Sequence, residues 1–171
     1  LDLCFYRDES GHPCRLDETI RVPAAFDSRV VALISDFLGT TVVAAHGRAD
    51  SRGGYLVFYA HIVPDETVQT GSCLSAGKTF AHIAPPGKKR LLPPHLHLSM
   101  ALADRLPPAQ DLDWPQLNRI DRKRFLDPEK MLAIDGQMIE FVPGTDLYET
   151  FCPVGRRQSA VNFSSRGTRH I

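Results

Sequence analysis

Between residues 19 and 101 the apolar positions fall into short runs separated by turn residues. Runs rich in β-branched and aromatic side chains and bounded by Gly, Pro, Asp or Ser are the signature of strands. The pattern predicts strands over 19–26 and 29–34, with Asp27 and Ser28 as the break between them, and over Thr40–His46 and 55–62. The last two are joined by 47–54, a polar segment with three glycines that suits a hairpin loop, so antiparallel pairing is the simplest expectation. In 68–77, Gly71 and Gly77 recur beside Val68 and Leu74, where glycine permits a positive φ at sharp turns, and 78–84 reads as another strand. After the basic, proline-rich loop 85–94, His95-Leu96-His97-Leu98-Ser99-Met100 alternates with period two: a strand with one polar and one apolar face.

Beyond Asp104 the texture changes. Pro107, Pro108 and Pro115 punctuate a polar stretch, with a short helix predicted over 116–124 and another near 128–133, and the polar tail 159–171 is expected to be loose. The expected organisation is a core over 1–104, a post-core packing segment over 105–135 that covers an open sheet edge, and a C-terminal extension over 136–171.

Composition narrows the function classes. A chain of 171 residues with 43% apolar side chains supports one hydrophobic core and is too apolar for a disordered chain. Lys+Arg and Asp+Glu both number 20, so the broad field that recruits nucleic acid or an anionic membrane is missing. No apolar run approaches the ~20 residues of a membrane-crossing helix. Residues 1–8 lack the basic start and apolar stretch of a secretory signal. Because the first residue is Leu1 and not Met, the start of translation is expected upstream of it or removed. Cys4, Cys14, Cys73 and Cys152 include no C-x-x-C pair; they read as small buried hydrophobes, with a Cys4–Cys14 disulfide as the alternative in an oxidising compartment.

The candidate chemistry is histidine chemistry. Residues i and i+2 of a strand project from the same face about 7 Å apart, so His95 and His97 can address one small site. A metal bound by one leaves the other over its open coordination position. An arbitrary H-x-H is most often the wet face of an edge strand. Here the pair follows Pro93 and Pro94, carries Leu96 and Leu98 on the opposite face, and has a third histidine, His61, ending another strand in Tyr59-Ala60-His61-Ile62.

In order and content these segments resemble the M23 peptidase family, the LytM and lysostaphin type zinc endopeptidases that cut peptide bonds in bacterial cell walls. The family's Tyr-x-His-Leu segment is matched by Tyr59-Ala60-His61-Ile62. Its Val-x-x-Gly-x-x-Val-x-x-Gly-x-x-Ile stretch is matched by Val68, Gly71, Leu74, Gly77 and Phe80, and its His-Leu-His-Phe by His95-Leu96-His97-Leu98. The match covers residues 1–101. It implies a mainly β fold, a twisted antiparallel sheet of the lysostaphin-like type with short C-terminal helical segments. It also implies Zn²⁺ as cofactor, peptidoglycan peptides as substrate, and a periplasmic, cell-envelope or secreted location.

The resemblance also implies a His-x-x-x-Asp motif, of which Leu1-Asp2-Leu3 looks like the end, so that Asp2 and His97 are the metal ligands and a partner histidine falls four residues before Asp2, outside this sequence. A catalytic zinc usually takes three protein ligands and a water, so the metal site of this chain is expected to be incomplete. His61 and His95 are implied as the general base and the stabiliser of the tetrahedral oxyanion, either way round, since imidazole exchanges protons near neutrality. His46-Gly47-Arg48-Ala49-Asp50 also matches His-x-x-x-Asp literally, but Asp50 falls in the glycine-containing loop. His12, His82 and His170 have no recognisable partner. Lys88-Lys89-Arg90 reads as a solvated patch, with contact to an acidic substrate group as its functional alternative. Two further readings compete: a non-catalytic M23-like module that binds cell wall or regulates another hydrolase, and a biotinyl or lipoyl carrier. The carrier is disfavoured because no Met-Lys-Met tripeptide or acidic equivalent is present.

Overall fold

The computed structural model describes residues 1–8, 10–47, 54–86 and 93–132. Most of the loop at 47–54 lies outside these residues, as do Asp50, the Lys88-Lys89-Arg90 patch, Cys152, His170 and the whole of 136–171. The protein is mainly β. Its strands are β1 (Asp2–Leu3), β2 (Phe5–Arg7), β3 (Pro13–Arg15), β4 (Arg21–Pro23), β5 (Ser28–Ser35), β6 (Thr40–His46), β7 (Tyr55–Pro64), β8 (Cys73–Leu74), β9 (Thr79–Ile83), β10 (Leu96–Leu102) and β11 (Phe125–Leu126). β2 and β3 form a separate hairpin. The other nine make one antiparallel sheet in the order β1-β10-β7-β6-β5-β8, with β11 also paired to β10, and β9 joining β7 to β4.

The strand runs read from the sequence are present, with shifted ends. β6 has the predicted bounds, and β7 and β10 each run two residues further than predicted. The strand expected over 19–26 shortens to Arg21–Pro23, because its register with β9 shifts at Val22/Pro23 and Ala24 then bridges Ala76. Gly71 and Gly77 take φ of 96° and 75°, the left-handed region that motivated reading them as turn positions.

Period-two alternation divides the apolar residues between the two faces of the sheet. Val42, Ala44, Val57, Tyr59, Leu98 and Met100 belong to the larger core. Val43, Ala45, Leu56, Phe58 and Ala101 belong to a second core on the other face, with Leu112 and Leu117. The second core exists because the segment after Asp104 folds back over that face, through α1 (Trp114–Leu117) and a 3-10 turn at Arg122–Arg124, before β11 extends the pairing of β10. The continuous helix expected over 116–124 is therefore replaced by two short turns. Asp113 caps the first by accepting from the Gln116 N–H, and Asp121 starts the second by accepting from the Lys123 N–H. Aspartates that bond nearby backbone in this way compete with helix continuation. α2 (Pro128–Leu132) follows where a helix was expected. Among the described residues no helix is long and apolar enough to cross a membrane.

No disulfide joins the described cysteines, and Cys73 is exposed where a buried hydrophobe was expected. Cys4 and Cys14 are half-buried, and burial pushes the Cys4 thiol up from its ordinary pKa.

Candidate functional site

β10 brings the histidine pair to the site. By alternation, His97 and Ser99 share the face of Ala101, the face covered by the post-core segment. β1 lies antiparallel to β10 with Asp2 directly opposite His97, and on the other side His97 is paired with Ala60 of β7. His97 Nδ1 meets Asp2 Oδ1 at 2.6 Å, and its Nε2 lies 3.0 Å from the Ser99 hydroxyl. The His97 contact holds the Asp2 carboxyl below its usual range, against the opposing effect of partial burial.

His61 reaches this face by a different route. Strict alternation after Tyr59 would turn His61 into the larger core, beside the Tyr59 ring that packs edge-on against Phe80. Instead Ala60 and His61 together oppose the single Thr41 of β6, a β-bulge, and His61 adopts φ of 63°. Bulges re-aim side chains in this way. The parity of the strand changes there, so Ile62 returns to the same core as Tyr59. The His61 ring then stands 4.8 Å from His95 and 6.0 Å from His97, centroid to centroid.

The structure thus brings Asp2, His61, His95 and His97 together from three strands and the turn preceding β10. His61 and His95 are buried, while Asp2 and His97 are partly open to solvent. His95 Nδ1 lies 2.8 Å from the Pro93 carbonyl, which can only accept, so that nitrogen carries a proton and Nε2 is the one left for chemistry. His46 stands elsewhere. It ends β6 opposite Tyr55, about 20 Å along the strand from Thr40 at ~3.3 Å per residue. There its Nδ1 lies 2.7 Å from the Asp27 carbonyl and its ring stacks on Phe26. His12 lies near Asp8, and His82 is paired with Arg21 on β9.

Three site residues were not read from the sequence. Asp36, in the tight β5–β6 turn, accepts from the His61 backbone N–H and from His61 Nδ1, both at 3.1 Å. Burial alone would raise the Asp36 pKa. The bonds from the His61 ring and from the backbone N–H groups of Leu38, His61 and Gly39 outweigh burial and hold it well below the carboxylate range. Phe37, the neighbouring turn residue, is 71% exposed and sets its ring edge-on to His61 at 4.8 Å. Trp114, from the post-core segment expected to serve only as edge cover, lies 6.3 Å from both the His61 and His97 rings. Beside His97 a cavity of about 500 Å³ opens between the sheet and this segment, lined by Phe58, Ser99, Trp114, Asn118 and Arg122 among others.

As a metal centre the donor set is suitable in kind and short in number. An anionic oxygen and an imidazole nitrogen converge, a pairing that suits zinc. Among the described residues, however, no three His, Cys, Asp or Glu side chains are grouped so that they could hold one ion.

Comparison with protein families and with curated proteins gives no match for this chain. Its function is read from the site.

Proposed function

We propose that this protein is a zinc-dependent metalloendopeptidase of the M23 type that hydrolyses peptide bonds in bacterial cell-wall peptidoglycan, working at the periplasm, cell surface or exterior. The observation that carries the reading is the meeting of Asp2 Oδ1 and His97 Nδ1 at 2.6 Å with the rings of His61 and His95 alongside. Asp2 and His97 would hold the ion, joined by a histidine four residues ahead of Asp2 in the family pattern.

Bound zinc supplies an acidified water and a Lewis acid for the scissile carbonyl. The chain's own residues do the rest. His95, with its Nδ1 proton given to Pro93, accepts or returns a proton at Nε2. His61, with Nδ1 on Asp36, has only Nε2 left to serve the developing oxyanion or the leaving amine. Phe37 and Trp114 flank the His61 ring, and Trp114 stands beside His97 as well.

A second reading fits the same two-ligand set of Asp2 and His97: a non-catalytic module of the same type that binds cell wall or regulates another hydrolase. One experiment separates them. Zinc is titrated into this chain and into a form extended at its N-terminus, and each is then assayed on purified cell walls with and without chelator. Chelator-sensitive turnover by the extended form supports the peptidase. Tight zinc binding without turnover supports the module, and equal, tight zinc binding by both forms refutes the need for an upstream ligand.

A further inference from the structure

Five donors converge on the Asp36 carboxylate, which is fully buried. Oδ1 takes the Leu38 and Gly39 N–H groups at 2.9 and 2.7 Å and His61 Nδ1 at 3.1 Å. Oδ2 takes the Thr41 hydroxyl at 2.9 Å and the His61 backbone N–H at 3.1 Å. The first two bonds are what any aspartate makes in a tight turn. The His61 bonds belong to another strand and are not required by the turn.

The backbone at His61 points the same way. A φ of 63° is readily adopted by glycine and costs a histidine on the order of 1 kcal/mol. A bulge alone would be better served by glycine, so the strain is tolerated for what the ring does. The hydroxyl of Thr41 also accepts from Trp114 Nε1 at 3.2 Å, so a line of bonds runs from the post-core segment through Thr41 and Asp36 to His61.

We propose that Asp36 is the positioning residue of this site: it grips both the backbone and Nδ1 of His61 at the bulge, fixing the ring among His95, His97 and Trp114 with Nε2 as its working nitrogen. The inference rests on the peptidase reading for what Nε2 does, but its geometric part stands apart from metal and substrate. Charge-assisted hydrogen bonds of this type fix both the tautomer and the orientation of an imidazole.

The test uses proton–nitrogen correlation NMR of the histidine rings in the metal-free protein, together with kinetics of the zinc-loaded, N-terminally extended form on a soluble cell-wall peptide. In the wild type, His61 is expected to carry its proton on Nδ1 with a far-downfield resonance. Asp36→Asn keeps an acceptor for Leu38 and Gly39 and so preserves the turn, yet removes the charge. It is expected to move that resonance upfield and to lower kcat by about 100-fold with KM little changed.

A purely structural Asp36 would leave the resonance and kcat of Asp36→Asn as in the wild type, and that result overturns the proposal. A wild-type His61 protonated only on Nε2 overturns it too, and this arm decides the matter should Asp36→Asn fail to fold. If the extended protein has no turnover at all, the peptidase reading falls while the NMR arm still judges Asp36.

Discussion

Asp2 and His97 stand opposite one another on adjacent antiparallel strands, their side chains meeting at 2.6 Å across a sequence separation of 95 residues. A contact that short between a carboxylate and an imidazole needs a proton between them, with Nδ1 donating to the Asp2 carboxylate. Zinc would displace that proton, so its binding should release a proton to solvent, measurable as a buffer-dependent heat in titration calorimetry.

Trp114 is the chain's single tryptophan and lies 6.3 Å from the His97 and His61 rings, which makes it an internal reporter. Adding zinc to the N-terminally extended protein should change tryptophan emission saturably. His97→Ala should weaken the apparent affinity by at least ~10–100-fold, the loss typical of disturbing even an outer partner of a metal site. An unchanged titration curve in the variant would remove His97 from the ligand set.

Phe37 presents an exposed aromatic face at the edge of the site. If substrate lies across it, Phe37→Ala should raise KM about tenfold, the worth of one aromatic contact of ~1.4 kcal/mol, and leave kcat alone. A fall in kcat with KM intact would show that Phe37 instead braces His61.

Gly39 lies under the bulge. A Cβ placed there would come within 2.7 Å of the Ile62 carbonyl oxygen and 2.9 Å of the Ala84 Cβ. Gly39→Ala should therefore cost about 1–3 kcal/mol through overpacking. Calorimetry should show the melting temperature falling by roughly 2–12 °C. A wild-type melting temperature would mean that the turn can move away from β7 without cost.

Asp36 predicts an acid-labile component of stability. Unfolding returns its carboxyl to an ordinary pKa of ~3.9, so in moderately acidic solution the unfolded chain takes up a proton that the native protein does not. Its contribution is complete above that ordinary value and is lost as pH falls through it toward the depressed native one. Urea melts across this range should show the stability gap between wild type and Asp36→Asn narrowing as pH drops. A gap independent of pH would mean that Asp36 titrates normally in the native state.

The strands around the site were legible because their cue is local: alternation and turn residues mark Thr40–His46 and the His95–Met100 run without reference to any partner. The resemblance of their segments to the M23 motifs is what groups His61, His95 and His97 in the sequence. Asp36 could not be grouped with them, since Asp36-Phe37-Leu38-Gly39 makes the two bonds of an ordinary turn and carries no local mark of anything more. The bonds to His61 come from a strand 25 positions away. Trp114 was hidden similarly, as an apolar residue in a proline-broken segment whose docking face depends on the sheet beneath it.

By itself, then, the sequence determined which runs become strands and which of their faces are apolar. Tertiary structure alone decided the face on which His61 emerges, the partner of its Nδ1, and the placing of Trp114 beside His61 and His97. The reason is register. Side-chain direction inverts with every one-residue slip in a strand. The slip at Ala60 and His61 is set by pairing against Thr41 and by the Asp36 carboxylate that holds the bulge, neither of which leaves a periodic mark in the chain.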